Sequence, residues 1–275
     1  MFDVRILSTG SEGNCVVIND DIMIDMGLTK KKTETLYQKP LDNFLCSIVT
    51  HKHGDHCSLP LVRYHIEHGH PLAIPQDVCD KLEEKTTTDL SYIPNVLVLS
   101  NKPKEIFTKE YGEYKITFYP QKHYDIVNYA IFIEYKGETL LYATDLDTLD
   151  ESDVGVGLHI LPKNIDIILL EGNFDEVWLR DYVTETIETY DDEIDTEQLS
   201  SDALNTWVRA HYRDIPKEVS APLFRAVQNM RHLSKQEARK YVQTHLSKTG
   251  RYYEIHRSSQ FYTRPTEWSG ADLKI

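Results

Sequence analysis

The chain has 275 residues and a hydrophobic fraction of 40%, which suits one large α/β domain and excludes intrinsic disorder. No apolar run reaches the roughly 18 to 20 residues that cross a bilayer, and no basic segment precedes an apolar stretch at the N-terminus, so we expect a cytoplasmic protein without membrane contact. The formal net charge of −14 opposes long, nonspecific contact with nucleic-acid phosphates, because that contact depends on Lys and Arg displacing counterions.

The first half of the sequence predicts short strands that lead into a histidine-rich loop. Apolar and polar side chains alternate over residues 2–8, as in a half-buried strand, and a Gly- and Asn-containing turn follows. We then expect strands over 15–18, 22–25 and 44–50, helices over 29–37 and 59–68, and a further helix that begins near Pro75. The histidines at 51–56 therefore lie on a strand-to-helix loop.

The second half predicts more sheet and then helices. Strand-like runs cover 96–99, 114–119, 129–135, 139–144 and 165–170, with a hairpin turn at Lys136-Gly137. Residues 177–213 are polar and helical, and a helix over 234–246 and a strand over 252–256 follow. We interpret the chain as a single domain over 1–275 with a helical insertion at about 175–230. Its acidic segment, 185–197, is most simply a solvated helical surface.

The segment His51-Lys52-His53-Gly54-Asp55-His56 places four metal-ligand side chains within six residues after a strand. Imidazole and carboxylate groups suit zinc and similar divalent ions. In an extended segment His51 and His53 point to the same side, and Asp55 and His56 can turn toward a second ion past Gly54. Two adjacent ions need more ligands than this loop supplies. The hypothesis therefore requires distant His or Asp residues at strand ends.

This motif resembles the signature of the metallo-β-lactamase superfamily. Three later segments resemble its remaining motifs in order: Pro120-Gln121-Lys122-His123, Tyr142-Ala143-Thr144-Asp145 and Arg231-His232-Leu233-Ser234. The turn before Cys15, together with Glu171-Gly172-Asn173 and His232-Leu233-Ser234, most resembles the YycJ-type branch, which is related to RNase Z and other phosphodiesterases. The resemblance implies an αββα sandwich with the metals at one sheet edge.

The resemblance also implies a ligand set and a reaction. His51, His53 and His123 would hold one ion, Asp55, His56 and His232 the other, and Asp145 would bridge two divalent ions. Zinc is expected, and manganese is also compatible with these ligands. A metal-bound hydroxide would then attack phosphorus. Asp55, His123 and Asp145 are the expected catalytic residues, although the sequence does not separate a role for Asp55 in steering the water from metal binding.

Other residues receive weaker assignments. Ser11, Asn14 and Asn173 are candidates for orienting substrate or metal ligands, with a plain turn or structural role as the alternative. The cysteines form no C-x-x-C pair, and we expect reduced, buried thiols. Surface or structural roles are expected for the remaining histidines, which are His65, His68, His70, His159, His211, His245 and His256.

The leading functional hypothesis is a metal-dependent phosphodiesterase. Its substrate would be a nucleic-acid end, as for an exonuclease, or a small or cyclic nucleotide, and the negative charge favours the smaller molecule. Two alternatives stay open: a thioester or lactone hydrolase on the same fold, and a non-catalytic metal-binding module. The helical segment 177–213 could serve as a lid or as the contact of a homodimer.

Overall fold

The structure, a computed structural model, describes residues 1–84, 93–196 and 199–263. The first sheet has six strands in the order β1-β2-β3-β4-β5-β6. Its strands are β1 (Val4–Ser8), β2 (Cys15–Ile18), β3 (Ile22–Ile24), β4 (Cys46–Ile48), β5 (Leu72–Pro75) and β6 (Val96–Leu99). The first three strands pair antiparallel and the others pair parallel.

The second sheet also has six strands, in the order β12-β11-β10-β9-β8-β7. They are β7 (Phe107–Tyr111), β8 (Tyr114–His123), β9 (Ile126–Tyr135), β10 (Glu138–Ala143), β11 (Ile165–Glu171) and β12 (Leu246–Ile255). Strands β7 to β10 form antiparallel hairpins, whereas β10, β11 and β12 are parallel. Carboxyl ends of β10, β11 and β12 therefore meet at one edge, where site residues can converge.

The two sheets pack face to face and carry helices on their outer sides. Apolar side chains of both sheets, such as Ile24, Phe118 and Ile131, form the core between them. Helices α1 (Lys30–Tyr37), α2 (Leu59–Glu67) and α3 (Gln76–Glu83) accompany the first sheet, and α7 (Lys235–His245) covers the second. This arrangement confirms the predicted αββα sandwich.

Three helices between β11 and α7 have an apolar cluster of their own. They are α4 (Glu176–Tyr190), α5 (Ser201–His211) and α6 (Lys217–Asn229). Buried side chains such as Trp178, Leu204 and Leu223 hold them together. The sequence predicted helical structure over 177–213, and the structure divides it between α4 and α5 and adds α6. Residues 197–198, at the end of the acidic segment, lie outside the described residues, as do 85–92 and 264–275. The single-domain boundary over 1–275 stays a prediction.

Several element bounds differ from the sequence-based prediction. Strands β5 and β7 were not predicted: β5 is a four-residue run that ends in a proline, and β7 is mostly exposed, so its sequence shows no apolar face. Strand β8 extends beyond residue 119 to His123, and β9 begins at Ile126. Within the described residues, no helix is long and apolar enough to cross a membrane.

Candidate metal centre

Chemistry-bearing side chains collect where strands of both sheets end. The loop 51–56 follows β4, and His123 is the last residue of β8. Asp145 follows β10 by two residues, Glu171 ends β11, and His256 directly follows β12. Strand ends of the two sheets therefore deliver His, Asp and Glu side chains to one place.

Backbone contacts fix the loop 51–56. The amides of His56 and Cys57 both donate to the carbonyl oxygen of His53, at 3.0 and 2.8 Å, which forms a tight turn. The carbonyl of His56 accepts from the amide of Met26 at 2.8 Å. Gly27 packs directly against the loop, because a Cβ at this position would lie 1.7 Å from the carbonyl oxygen of Asp55. Only glycine fits there.

The first group of possible ligands is His51, His53 and His123, whose ligand atoms all lie within 4.8 Å of one another. Nε2 of His51 lies 3.1 Å from Nδ1 of His53. Burial lowers the pKa of His51 well below its ordinary value, and burial together with His123 lowers the pKa of His53 to about 4. Neutral imidazoles with free lone pairs are the form that binds a cation.

The second group is Asp55, His56, Asp145 and His256. Nε2 of His56 lies 2.6 Å from Oδ2 of Asp145, and Nε2 of His256 lies 3.7 Å from Oδ2 of Asp55. The same Oδ2 of Asp145 lies 3.3 Å from Nε2 of His51, which belongs to the first group. Asp145 thus contacts both groups. Although burial opposes ionisation, His256 and His56 hold the pKa of Asp145 well below its usual range.

A third, overlapping group adds Glu171 and His232 to Asp145 and His256. Oε1 of Glu171 accepts from the backbone amides of Leu146 and Leu233, which leaves Oε2 facing Nδ1 of His232 at 3.1 Å. Burial lowers the pKa of His232, but Glu171 and Asp145 outweigh it and raise that pKa to about 10. The two carboxylates therefore favour the protonated form of His232, and Glu171 fixes its ring.

A buried carboxylate behind the ligands orients two of them. Oδ1 of Asp25 accepts from the amide and hydroxyl of Thr50, and that hydroxyl lies 3.1 Å from Nδ1 of His51. Oδ2 of Asp25 accepts from Tyr142 Oη and lies 2.7 Å from Nδ1 of His56. A carboxylate on the rear nitrogen turns the other nitrogen toward a metal and raises its basicity.

Buried polar atoms without hydrogen-bond partners indicate that the ligand groups form a metal centre. Nδ1 of His123, Oδ1 of Asp145 and Nε2 of His256 are buried and make no well-aligned hydrogen bond among the described residues, although Oδ1 of Asp145 lies 3.2 Å from Nδ1 of His232. Burying such atoms without a partner is costly, and native proteins rarely leave them unsatisfied. All three belong to the ligand groups, so divalent cations would supply the missing partners.

Left-handed backbone conformations occur at two residues of the ligand groups and at the carboxylate behind them, none of which is glycine. Asp25, Asp145 and His256 have φ angles of 62°, 54° and 53°. Such conformations cost about 1 to 3 kcal/mol for ordinary residues and persist at functional sites where the surroundings enforce them. At Asp145 and His256 the turn directs a side chain back into the cluster after the strand has ended.

The structure brings most of the predicted ligands together in the predicted groups, but His232 lies in a different group from the predicted one. His51, His53 and His123 form one group, and Asp55 and His56 join Asp145, as the sequence suggested. His232 lies beside Glu171 and outside the group of Asp55 and His56. His256 belongs to that group instead. Sequence reasoning assigned His256 a surface or structural role, yet its side chain is 7% exposed and lies within the cluster.

The sequence carried a signal for the residues that were missed. His256 and Glu171 each stand at the end of a strand, the same position that singled out His123 and Asp145. Asp25 follows the buried strand β3 and is fully buried. A search for every ionisable residue at a strand end would have found all three.

The candidates for orienting groups have different surroundings. Ser11 and Asn173 line a cavity of about 530 Å³ that opens over the ligand groups. Asn14 is buried, accepts from the Gly10 amide and places its Nδ2 at 2.8 Å from Nε2 of His56. Asn173 donates through Nδ2 to the carbonyl of His256 at 2.9 Å. Asn14 thus contacts a candidate ligand, whereas Ser11 faces the cavity.

Comparison with known proteins identifies related sequences and folds. Residues 35–197 match a family model described as a beta-lactamase superfamily domain, and no curated protein matches the sequence. Human tRNase Z, short form, aligns at 18% identity and a TM-score of 0.48 over 67% of this chain and 83% of its own. YhfI from Bacillus subtilis, a metallo-beta-lactamase fold protein, aligns at 17% identity and 0.46 over 64% and 73%. Zn(2+)-bound PqqB from Methylobacterium extorquens aligns at 13% identity and 0.45 over 67% and 76%. The family match spans more than half of the chain and includes the loop 51–56, His123 and Asp145.

Proposed function

Because the chain belongs to the metallo-β-lactamase superfamily, we propose that it is a metal-dependent hydrolase that cleaves phosphodiester bonds. The observation that carries this proposal is the pairing of His232 with Glu171: Oε2 of Glu171 lies 3.1 Å from Nδ1 of His232, which lines the cavity above the ligand groups. A phosphodiester is an anion, and its leaving alkoxide needs a proton. A cationic acid meets both needs, whereas a lactone carries no charge to balance and a thioester expels a thiolate, which leaves without a proton.

We propose that His51, His53 and His123 hold one divalent ion and that Asp55, His56 and His256 hold a second, with Asp145 between them. The histidine-rich donor set favours zinc over magnesium or calcium. When bound, the ions would supply Lewis acidity and lower the pKa of a coordinated water. The sequence predicted catalytic roles for Asp55, His123 and Asp145. In this proposal they would contribute to catalysis by holding the ions beside the reacting phosphate.

The chain itself supplies the proton. Nδ1 of His232 faces Oε2 of Glu171, so Nε2 is the nitrogen left to donate toward the cavity. Glu171 is fixed by two backbone amides, and although burial opposes ionisation, His232 lowers its pKa to about 2. Glu171 therefore stays charged and holds the imidazole ring in place while the proton moves to the leaving oxygen.

The size of the cavity and the charge of the chain favour a small or end-bound substrate. A cavity of about 530 Å³ is suited to a nucleotide-sized molecule. The net charge of −14 opposes a long polyanion lying across the surface. We propose a small nucleotide, or the end of a nucleic-acid chain, as the substrate.

The leaving group distinguishes the proposed proton donor from a structural residue. The p-nitrophenyl ester of thymidine 5′-phosphate expels an anion that needs no proton, whereas the dinucleotide TpT expels an alkoxide that does. For zinc-loaded His232→Asn we expect kcat on TpT to fall by roughly a hundredfold or more. On the nitrophenyl ester the same variant should stay within about threefold of the unmodified protein. His159→Asn, which alters an exposed histidine remote from the cavity, is the matched control.

Outcomes of three kinds would count against the proposal. Equal losses on both substrates would remove the role of His232 as proton donor. Hydrolysis of lactones or thioesters by the zinc-loaded protein, with no cleavage of either phosphodiester, would contradict the proposed phosphodiesterase activity. A steep fall in substrate affinity with rising salt would replace the small substrate by a polynucleotide with many phosphate contacts.

A further inference from the structure

Helix α6 forms part of the wall of the cavity. Arg225 and Asn229 of this helix line the cavity together with His53, Asp55 and other residues of the ligand groups. They lie one helical turn apart and therefore face the same side. The side-chain amide of Asn229 donates to the Arg225 carbonyl at 3.0 Å, and its second N–H has no acceptor in the part of the chain that the structure describes. Helix α6 thus contributes two hydrogen-bonding side chains to the cavity.

The charge of Arg225 has no counter-ion among the described residues. Arg231, next to the same cavity, lies 3.8 Å from both Asp147 and Asp202, and its guanidinium stacks on Tyr124. Arg257, which also lines the cavity, lies 3.4 Å from Oε1 of Glu254. No carboxylate of the described residues lies within ion-pair distance of the Arg225 guanidinium, although Asp and Glu outnumber Lys and Arg by 44 to 30.

An uncompensated arginine inside a substrate cavity indicates an anionic ligand. Guanidinium groups bind phosphate oxygens through paired hydrogen bonds, and partial burial strengthens each of them. Arg225 belongs to α6 and to none of the ligand groups, whose members other than His232 lie at strand ends or on the loops that follow them. One phosphate at the ligand groups therefore leaves Arg225 available for another. The cavity therefore offers two separate positions for negative charge.

We propose that Arg225 and Asn229 bind a second phosphate group of the substrate, so that the substrate is a nucleotide carrying at least two phosphates. This inference rests on the proposed function and narrows it. A nucleotide with a single phosphate, such as a cyclic mononucleotide, fills the ligand position and leaves Arg225 without a partner. A short oligonucleotide end, or a small nucleotide with a further phosphate, fills both.

Binding of a non-cleavable probe tests the inference without reference to activity. Calorimetry on the zinc-loaded protein would compare deoxythymidine 3′,5′-bisphosphate with deoxythymidine 5′-monophosphate. We expect the bisphosphate to bind roughly tenfold to a hundredfold more tightly, because one charge-assisted contact is added. Arg225→Gln should remove this preference and Arg225→Lys should keep part of it. Lys217→Gln, which removes an exposed positive charge at the start of α6, should leave the preference unchanged.

Either of two results would overturn the inference. The unmodified protein binding both nucleotides equally would remove the second phosphate position, whatever the variants do. A preference that survives in folded Arg225→Gln would show that Arg225 does not bind it. Phosphodiesterase assays on the p-nitrophenyl ester of thymidine 5′-phosphate, with and without a 3′-phosphate, test the proposed function independently of the calorimetry. No cleavage of either ester would reject the proposed function, while the calorimetry would still decide the role of Arg225.

Discussion

Oδ2 of Asp25 lies 2.7 Å from Nδ1 of His56, and both side chains are fully buried. The same carboxylate accepts hydrogen bonds from Tyr142 and, through Oδ1, from Thr50 beside His51. Although burial lowers the pKa of His56, Asp145 and Asp25 raise it well above its ordinary value. Asp25 thus sets the orientation of candidate ligands in both groups without lining the cavity.

Asp25→Asn tests this role. The amide oxygen can still accept from Thr50, but an NH₂ group would face Nδ1 of His56 and force the proton onto the nitrogen meant for the metal. We expect zinc affinity to fall by roughly tenfold to a hundredfold, measured by chelator competition.

The matched control is Asp166→Asn, which alters a partly buried carboxylate bonded to Thr139 away from the ligand groups. It should bind zinc as the unmodified protein does. Unchanged zinc affinity in Asp25→Asn would show that the carboxylate is structural only.

Alanine substitutions at Gly27 and Gly54 should differ in their effects on zinc binding and stability. A Cβ at Gly27 would lie 1.7 Å from the Asp55 carbonyl oxygen, whereas a Cβ at Gly54 meets nothing within 4 Å. Gly27→Ala should displace the loop, weaken zinc binding and lower the free energy of unfolding by about 1 to 3 kcal/mol. Gly54→Ala should preserve zinc binding, even though it alters the motif itself. Zinc titration and thermal unfolding of both variants would measure this, and equal behaviour would contradict the packing of Gly27 on the loop.

The pH dependence of stability has an expected contribution from His65, which is remote from the metal ligands. Its ring is buried, and Nδ1 lies 3.3 Å from Ser47 Oγ. Burial, and then the charge of His70, lower its pKa from 6.5 to about 4. Between those values the unfolded chain binds more protons than the folded one, so the free energy of unfolding falls as the pH falls.

Replacing His65 by Asn removes this titration. The difference in the free energy of unfolding between the two proteins should shrink by roughly 3 kcal/mol as the pH falls from about 6.5 to about 4. Urea unfolding of the metal-free proteins would follow it, since the other histidines titrate equally in both. A difference that does not change with pH would show that His65 titrates normally in the folded state.

The fold was predictable where periodicity was strong and failed where tertiary contacts decide. The alternating strands and the apolar run before the loop 51–56 were recognisable from the sequence, and the family resemblance supplied the sandwich. Strand β7 was not, because its sequence has three consecutive exposed polar residues and no apolar face, and it is a strand through its pairing with β8. Local propensity does not carry that information.

The site shows the same division. The loop 51–56 was evident because its ligands are close in sequence. His256 was not, because a single histidine carries no pattern, and its place follows from β12 lying parallel beside β11. Glu171 was part of a recognised segment, but its contact with His232 depends on the loop before α7 folding over the end of β11. The order of the strands in the sheet brings these distant residues together, and the local sequence does not reveal that order.

The number of divalent ions bound by each chain tests the central claim most directly. After chelation, dialysis against zinc and removal of the excess, metal analysis should find two ions per chain. Asp145→Ala should lose metal that the exposed-residue variant His159→Ala retains, and phosphodiester cleavage should be lost with the metal. A folded protein that binds no metal after reconstitution, or an Asp145→Ala variant that keeps both ions, would contradict the account.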